Sequence, residues 1–161
     1  MIPLAGMSQF TKGGFLVSGD LSFNATDAYT SYSVTPSVGF FVGDGLALGL
    51  SGGVGGYDEK DTDNSSSQLA IGPMVEKFIE INERVSFSLK GQVLYRHISE
   101  PTELTIWESS ISPSLLFFAT DKLAITANMG MVRYSKSDDS GSSGISIGYG
   151  NLGFGLSWFL G

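Results

Sequence analysis

Apolar and small polar residues alternate along this chain in eight long stretches. In the first, Phe15, Val17, Gly19, Leu21 and Phe23 fall on one face, with Leu16, Ser18, Asp20, Ser22 and Asn24 on the other. A period of two marks a β-strand, because successive side chains point to opposite sides. Length adds the second clue: ordinary strands run about 5–6 residues, whereas a tilted strand that crosses a bilayer needs about 9–11. The pattern predicts strands over 13–25, 31–42, 46–57, 67–79, 84–98, 105–119, 123–134 and 145–160. Short turns at 43–45, 80–83 and 120–122 alternate with longer links near Ala28, Asp63, Thr102 and Ser140. In the last stretch the apolar parity switches from Ile145, Ile147 and Tyr149 to Leu152, Phe154, Leu156 and Trp158, which predicts a bulge near Gly150 and Asn151.

The chemistry of the two faces separates a membrane barrel from a soluble one. Tyr32, Val34, Pro36, Val38, Phe40 and Val42 oppose Ser33, Thr35, Ser37, Gly39 and Phe41; Trp107, Ile111, Pro113, Leu115 and Phe117 oppose Glu108, Ser110, Ser112 and Ser114. A soluble, lipocalin-like ligand-binding barrel would turn its large apolar side chains inward and carry Lys and Glu outside. Here the polar face is too small and too neutral for a solvated exterior, and only 16% of all residues are charged. The expectation is therefore an all-β fold, an eight-stranded antiparallel up-and-down transmembrane β-barrel. Residues 1–161 make a single domain, with 1–12 a short periplasmic lead. Phe15, Val38, Leu48, Ile71, Phe87, Ile111, Ile125 and Leu156 are expected to face outward. Pro36, Pro73 and Pro113 fall on the same parity inside strands and count against regular pairing there.

Composition narrows the chemistry further. No run of 18 apolar residues exists, so no helix spans a membrane. With no cysteine and one histidine, neither a disulfide framework nor a metal site is expected, and no cofactor is implied. A net charge of −7 argues against nucleic acid as a partner. Much of that charge sits in predicted tips, at Asp58, Glu59, Asp61, Asp63, Asp138 and Asp139. The glycines at 52, 53, 55 and 56 are not followed by the lysine of a phosphate-binding loop, and the acidic run 58–63 lacks the offsets of a calcium loop. Met1–Gly6 has neither a basic start nor a long apolar region, so the chain is expected to be a mature form.

Aromatic residues gather near both predicted strand ends. Phe40, Phe41, Phe78, Phe117, Phe118, Trp158 and Phe159 lie towards the short turns, and Tyr29, Tyr32, Tyr57, Tyr95, Trp107 and Tyr134 towards the longer links. Two such belts are expected to be interfacial girdles, with Phe40, Phe117, Trp158, Tyr32, Tyr95 and Trp107 as their representative members. On the inward parity lie Asp20, Glu76, Lys90, Arg96 and Glu108. Charges in a narrow lumen must be paired or hydrated. A hairpin centred near Thr102 places Arg96 opposite Glu108, and one centred at Asn82 and Glu83 places Glu76 beside Ser88 or Lys90. The expected result is a salt-bridged, side-chain-filled polar lumen.

Residues 36–50, with Pro36-Ser37-Val38-Gly39-Phe40-Phe41 leading through the Gly43-Asp44-Gly45 turn, resemble the strand–turn–strand pattern of small bacterial outer-membrane barrel domains of the OmpA and OmpX kind. Ile71-Gly72-Pro73 and the segment from Asn151 to Trp158 are similar to later parts of those proteins. The resemblance implies a bacterial outer-membrane location with both termini periplasmic, membrane lipid as the main partner, and no single activity. The expectation is a monomeric, non-enzymatic barrel that is structural or displays surface loops, with an unidentified ligand at those loops as a further partner. His97-x-Ser99 weakly resembles the outer-membrane lipid A deacylases, and Glu103 has the parity to be the acid of such a hydrolase site. This alternative stands beside a rim histidine packed by Trp107, which is the preferred reading.

Overall fold

The computed structural model describes residues 10–25, 27–61, 65–99, 104–137, 143–148 and 153–161. Its strands are β1 (Phe15–Ala25), β2 (Tyr29–Gly43), β3 (Leu46–Glu59), β4 (Ser65–Asn82), β5 (Val85–Ile98), β6 (Leu104–Phe118), β7 (Leu123–Asn128), β8 (Met131–Ser137), β9 (Ser143–Gly148) and β10 (Gly153–Leu160). Antiparallel neighbours run β5-β4-β3-β2-β1-β10-β7-β6, and β6 pairs back onto β5, so eight strands close into a barrel. β8 continues past β7 along β6, and β9 pairs with β8. The two extra strands are thus the outer parts of the seventh and eighth stretches of the sequence pattern.

The turns explain why the chain reverses where it does. Asn82 Oδ1 accepts hydrogen bonds from the Arg84 and Val85 N–H groups, both at 2.9 Å, and Thr120 Oγ1 does the same for Lys122 and Leu123. Gly45 adopts a φ of +70°, and a Cβ there would press on the Phe78 carbonyl oxygen.

Outward parity follows the sequence pattern. Phe15, Val38, Leu48, Ile71, Ile111, Ile125 and Leu156 are exposed, and Phe87 is half-buried between the inward-facing Ser86 and Ser88. So large an apolar exterior, running round every strand of the ring, suits hydrocarbon rather than water. In the last stretch Ile145 and Ile147 are exposed on one side of the switch and Phe154, Leu156 and Trp158 on the other. Gly150 and Asn151, where the bulge is expected, lie outside the described residues.

The seventh stretch corrects the reading of 123–134 as one unbroken strand. Asn128 faces Ser114 and Val132 faces Ile111, so residues 129–131 stand against only 112 and 113. That is one inserted residue, at a point where Gly130 takes a φ of +130°. The insertion moves the outward parity from Ile125 to Val132 and Tyr134, all three exposed. The three prolines mark the other irregularities. Each is paired on one flank, Pro36 with Gly19, Pro73 with Leu50 and Pro113 with Leu89. On the other flank the β2–β3 ladder skips from Val34 to Ser37, the β4–β5 ladder from Ile71 to Met74, and the β6 ladder from Ile111 to Ser114. A residue without an N–H sits in a sheet only where one flank is already broken.

Inside the short-turn end the barrel is apolar, which corrects the expectation of a uniformly polar lumen. Phe41, Phe78, Phe118 and Phe159 point inward and pack with Leu16, Ala47, Met74, Leu116 and Ala124. They are core residues rather than members of the outer girdle. Their parity already says so, since each alternates with an outward neighbour such as Phe40, Phe117 or Trp158. Phe10, from the lead before β1, fills the centre. Its ring stacks on Phe78 at 4.9 Å and meets Phe159 at 5.3 Å, Phe118 at 5.9 Å and Phe41 at 6.0 Å. The Gly45 N–H donates to the Phe10 carbonyl at 2.9 Å, and the Phe78 N–H donates to the Gly45 carbonyl at 2.7 Å.

Truncating this central ring removes contacts that no neighbour can replace, because the surrounding rings are held by strand ends. Phe10→Ala is expected to lower unfolding free energy by about 3–5 kcal/mol, the range for phenylalanine deleted from a packed core. Reversible urea unfolding in detergent micelles measures it. A cost below about 1 kcal/mol, typical of surface substitutions, would show that Phe10 does not occupy the floor.

Candidate functional site: a charged cup above an aromatic floor

Above the phenylalanine floor the lumen turns polar in a definite order. A layer of small hydroxyls comes first: Ser37 and Ser51 share a hydrogen bond at 2.8 Å, and Thr126 and Ser157 another at 3.0 Å. These come from four strands and bridge neighbours whose inward positions carry no bulk. The charged residues follow. Lys90 on β5 lies directly opposite Glu76 on β4, one of the two partners that the hairpin at Asn82 allowed, with a register shift between Glu80 and Asn82 selecting it. Its Nζ is 3.8 Å from Glu76 Oε2 and donates to Asp20 Oδ2 on β1 at 3.2 Å. The β1 partner was not predicted: Asp20 is four strands away in sequence order and reaches Lys90 only across the lumen.

The second cluster sits nearer the longer links. Arg96 Nη2 donates to Glu108 Oε1 at 3.1 Å, and Arg96 Nη1 to Gln68 Oε1 at 2.6 Å. The two ion-paired residues are diagonal neighbours rather than directly opposed. Arg96 faces Ile106, and Glu108 faces Leu94. The hairpin is thus centred one residue earlier than the pattern suggested, and the arginine's length spans the difference. A third member was missed. Arg133 on β8 places its Nε 3.3 Å from the same Glu108 oxygen. In an unbroken strand Arg133 would share the outward parity of Ile125, and only the insertion at Gly130 turns it inward. The signal was present in the outward shift to Val132 and Tyr134.

A cavity of about 420 Å³ opens between the clusters, lined by Asp20, Lys90, Gln92, Arg96, Glu108 and Arg133 among others. The polar part of the lumen therefore holds space as well as side chains. Among the described residues no cluster of His, Asp or Glu is arranged to hold a metal ion. The outer aromatic positions are all exposed: Phe40, Phe117 and Trp158 at the short-turn end, Tyr32, Tyr95 and Trp107 at the other. Tyr95 and Trp107 meet edge to face at 5.2 Å. His97 lies on the same outward row, paired in register with Leu69 and Thr105. Trp107 thus packs against Tyr95, and His97 has Thr105 rather than Trp107 as its cross-strand neighbour. Ser99 is exposed just past the end of β5, its N–H donating to the Ser67 carbonyl. Among the described residues no hydrogen bond joins His97 to Ser99, and Glu103 lies outside them.

The architecture has solved counterparts. The chain aligns over 92% of its length with 98% of the N-terminal β-barrel domain of Pseudomonas aeruginosa OprF, at 12% identity and a TM-score of 0.62. The fold is that of the eight-stranded outer-membrane barrels. Neisserial surface protein A matches 90% of this chain and 95% of its own, at 12% identity and a TM-score of 0.59. The Yersinia pestis outer membrane protein Ail, solved in a phospholipid bilayer nanodisc, matches over 92% of this chain and 100% of its own, at 16% identity and a TM-score of 0.50. No family model and no curated sequence matches the chain. At such identities the likeness is one of backbone path.

The two clusters respond differently to loss of one member. Lys90→Met strands Asp20 and the buried Glu76 without a cation, and is expected to cost about 3–5 kcal/mol, the range for breaking a buried pair. Glu76→Gln leaves the Lys90–Asp20 pair intact and is expected to cost clearly less. Urea unfolding of both variants in micelles at neutral pH compares them. Equal costs would mean that Asp20 contributes nothing to holding Lys90.

Proposed function

We propose that this chain is an integral protein of the bacterial outer membrane, a non-enzymatic monomeric barrel that is structural or carries its longer links as surface loops. The observation that carries the reading is the inversion of the faces: Ile71 is 60% exposed and Leu156 56%, while Leu116 and Phe41 are sealed inside at 0%. A barrel with that outside needs lipid as its solvent. The short turns gather at the floor end, beside Phe10. The strand ends that the longer links join lie at the other, where Asp58 and Glu59 at the end of β3 and Asp61 beyond it are exposed. Short periplasmic turns and longer outer loops are the usual arrangement, which supports both termini facing the periplasm. The fold shared with OprF, Neisserial surface protein A and Ail supports the same location.

The aromatic floor also supports a barrel that does not conduct. Five phenylalanine rings, those of Phe10, Phe41, Phe78, Phe118 and Phe159, pack together across the short-turn end.

Trp107 and Trp158 are exposed outer residues towards opposite ends of the strands, so they report insertion directly. In proteoliposomes both are expected to be quenched more strongly by lipid brominated near the headgroup than by lipid brominated at the chain terminus, as girdle residues at an interface should be. Quenching by aqueous iodide with no effect of brominated lipid would overturn the membrane reading. In planar bilayers the same preparation is expected to show no steady ion current, and Phe10→Ala to show measurably more. A wild-type current equal to that of Phe10→Ala would remove the floor as the seal.

A further inference from the structure

The charges in the cup do not balance locally. Around Lys90 stand two carboxylates, Asp20 and Glu76. Around Glu108 stand two guanidinium groups, Arg96 and Arg133, both within 3.3 Å of the same oxygen, Oε1. One carboxylate cannot neutralise two arginines, so the outer half of the cup carries an excess positive charge. Arg96 has two acceptors, Gln68 and Glu108, with only its Nε unpartnered. Arg133 is held less well. Its Nε, though near Glu108, is not aligned to donate to it, and its Nη2 donates to the Met131 thioether at 3.1 Å. A thioether is a weak acceptor, a poor partner for a guanidinium that ordinarily takes a carboxylate or phosphate in a bidentate fork. The Arg133 side chain is 40% exposed, and it lines the cavity of about 420 Å³. That volume lies in the range of small-molecule sites.

We propose that Arg133, with Arg96 behind it, binds a small solute bearing a carboxylate or phosphate group inside the cup. The oxyanion supplies the acceptor that Arg133 lacks and balances the charge that Glu108 leaves uncompensated. Placement favours the binding mode, because the surrounding walls lower the local dielectric and strengthen the attraction relative to open water. Asp20, which lines the cavity beside Lys90, repels a second anionic group. The site thus prefers a ligand with one compact negative end over a dicarboxylate. The aromatic floor makes the cup a dead end, so the solute enters and leaves from the side of the longer links.

The test titrates the full-length folded barrel in zwitterionic micelles with inorganic phosphate, acetate and succinate, by calorimetry and by amide chemical shifts, at constant ionic strength. Phosphate and acetate are expected to shift the amides of residues around Arg96, Glu108 and Arg133 saturably, with succinate weaker than acetate. Arg133→Gln is expected to weaken binding by on the order of tenfold or more, the loss that follows removal of one charge-assisted pair. Arg133→Lys keeps the charge and is expected to retain part of the affinity. Lys77→Gln, on the outer face near the floor, is expected to bind as wild type. Heat-modified gel mobility establishes that each variant is folded. If Arg133→Gln alone fails to fold, the wild-type shifts and the Arg133→Lys affinity decide the matter. Wild-type protein that shows no saturable shift near Arg133, or an Arg133→Gln variant that binds equally well, would overturn the proposal.

Discussion

A strand surrounded by hydrocarbon has nowhere to place its N–H and C=O groups except on a neighbouring strand, so the pairing of β6 with β5 that closes the ring underlies everything else in this molecule. Closure forces each of the eight barrel strands to have one face outside and one inside. The outside then demands apolar residues at every second position, and the inside must fill a narrow tube with what remains. Where the pairing fails it fails locally. The three proline positions each lose one flank of their ladder and keep the other, so the ring stays continuous through the opposite neighbour.

The interior is divided by the same geometry. At the short-turn end the strands converge on tight reversals, and five phenylalanines fill the space as a dry core whose central ring comes from the lead rather than from any strand. Further along, small hydroxyls and glycines leave room, and the room is occupied by charges that must find partners across the lumen. Asp20 reaching Lys90 is such a cross-lumen contact, whereas Arg133 reaches Glu108 diagonally from the adjacent strand. Their energetic weight comes from burial: a carboxylate such as Glu76, 5% exposed, depends on the cation beside it. The floor and the cup are therefore complementary, one closing the tube by packing and the other lining its open part with fixed charge.

Much of this was legible in the chain itself, for a physical reason. A period-two pattern is written locally, residue by residue, so the outward row from Phe15 to Leu156 and the inward row containing Asp20, Glu76, Lys90, Arg96 and Glu108 could be read without any knowledge of the fold. The hairpin at Asn82 narrowed the partner of Glu76 to Ser88 or Lys90, and the irregularity between Glu80 and Asn82 places Lys90 opposite it. The longer link near Thr102 left a slack of one position, and the Arg96–Glu108 pair is diagonal as a result. Phe41, Phe78, Phe118 and Phe159 were placed in the girdle because they lie at the right height. Height alone does not separate inside from outside; their parity does.

What the sequence determined by itself was periodicity, and with it the strands, the two faces and the solvent each face prefers. What only the tertiary structure decided was distance across the tube and the effect of one inserted residue. Met129 to Met131 hold that insertion, and it rotates everything beyond Gly130 by one position, turning Arg133 from the outer face into the cup. Nor does local pattern say that a lead residue, Phe10, would enter the barrel and complete its floor. Both depend on residues far apart in sequence being brought within a few ångströms, and that proximity exists only once the ring has closed.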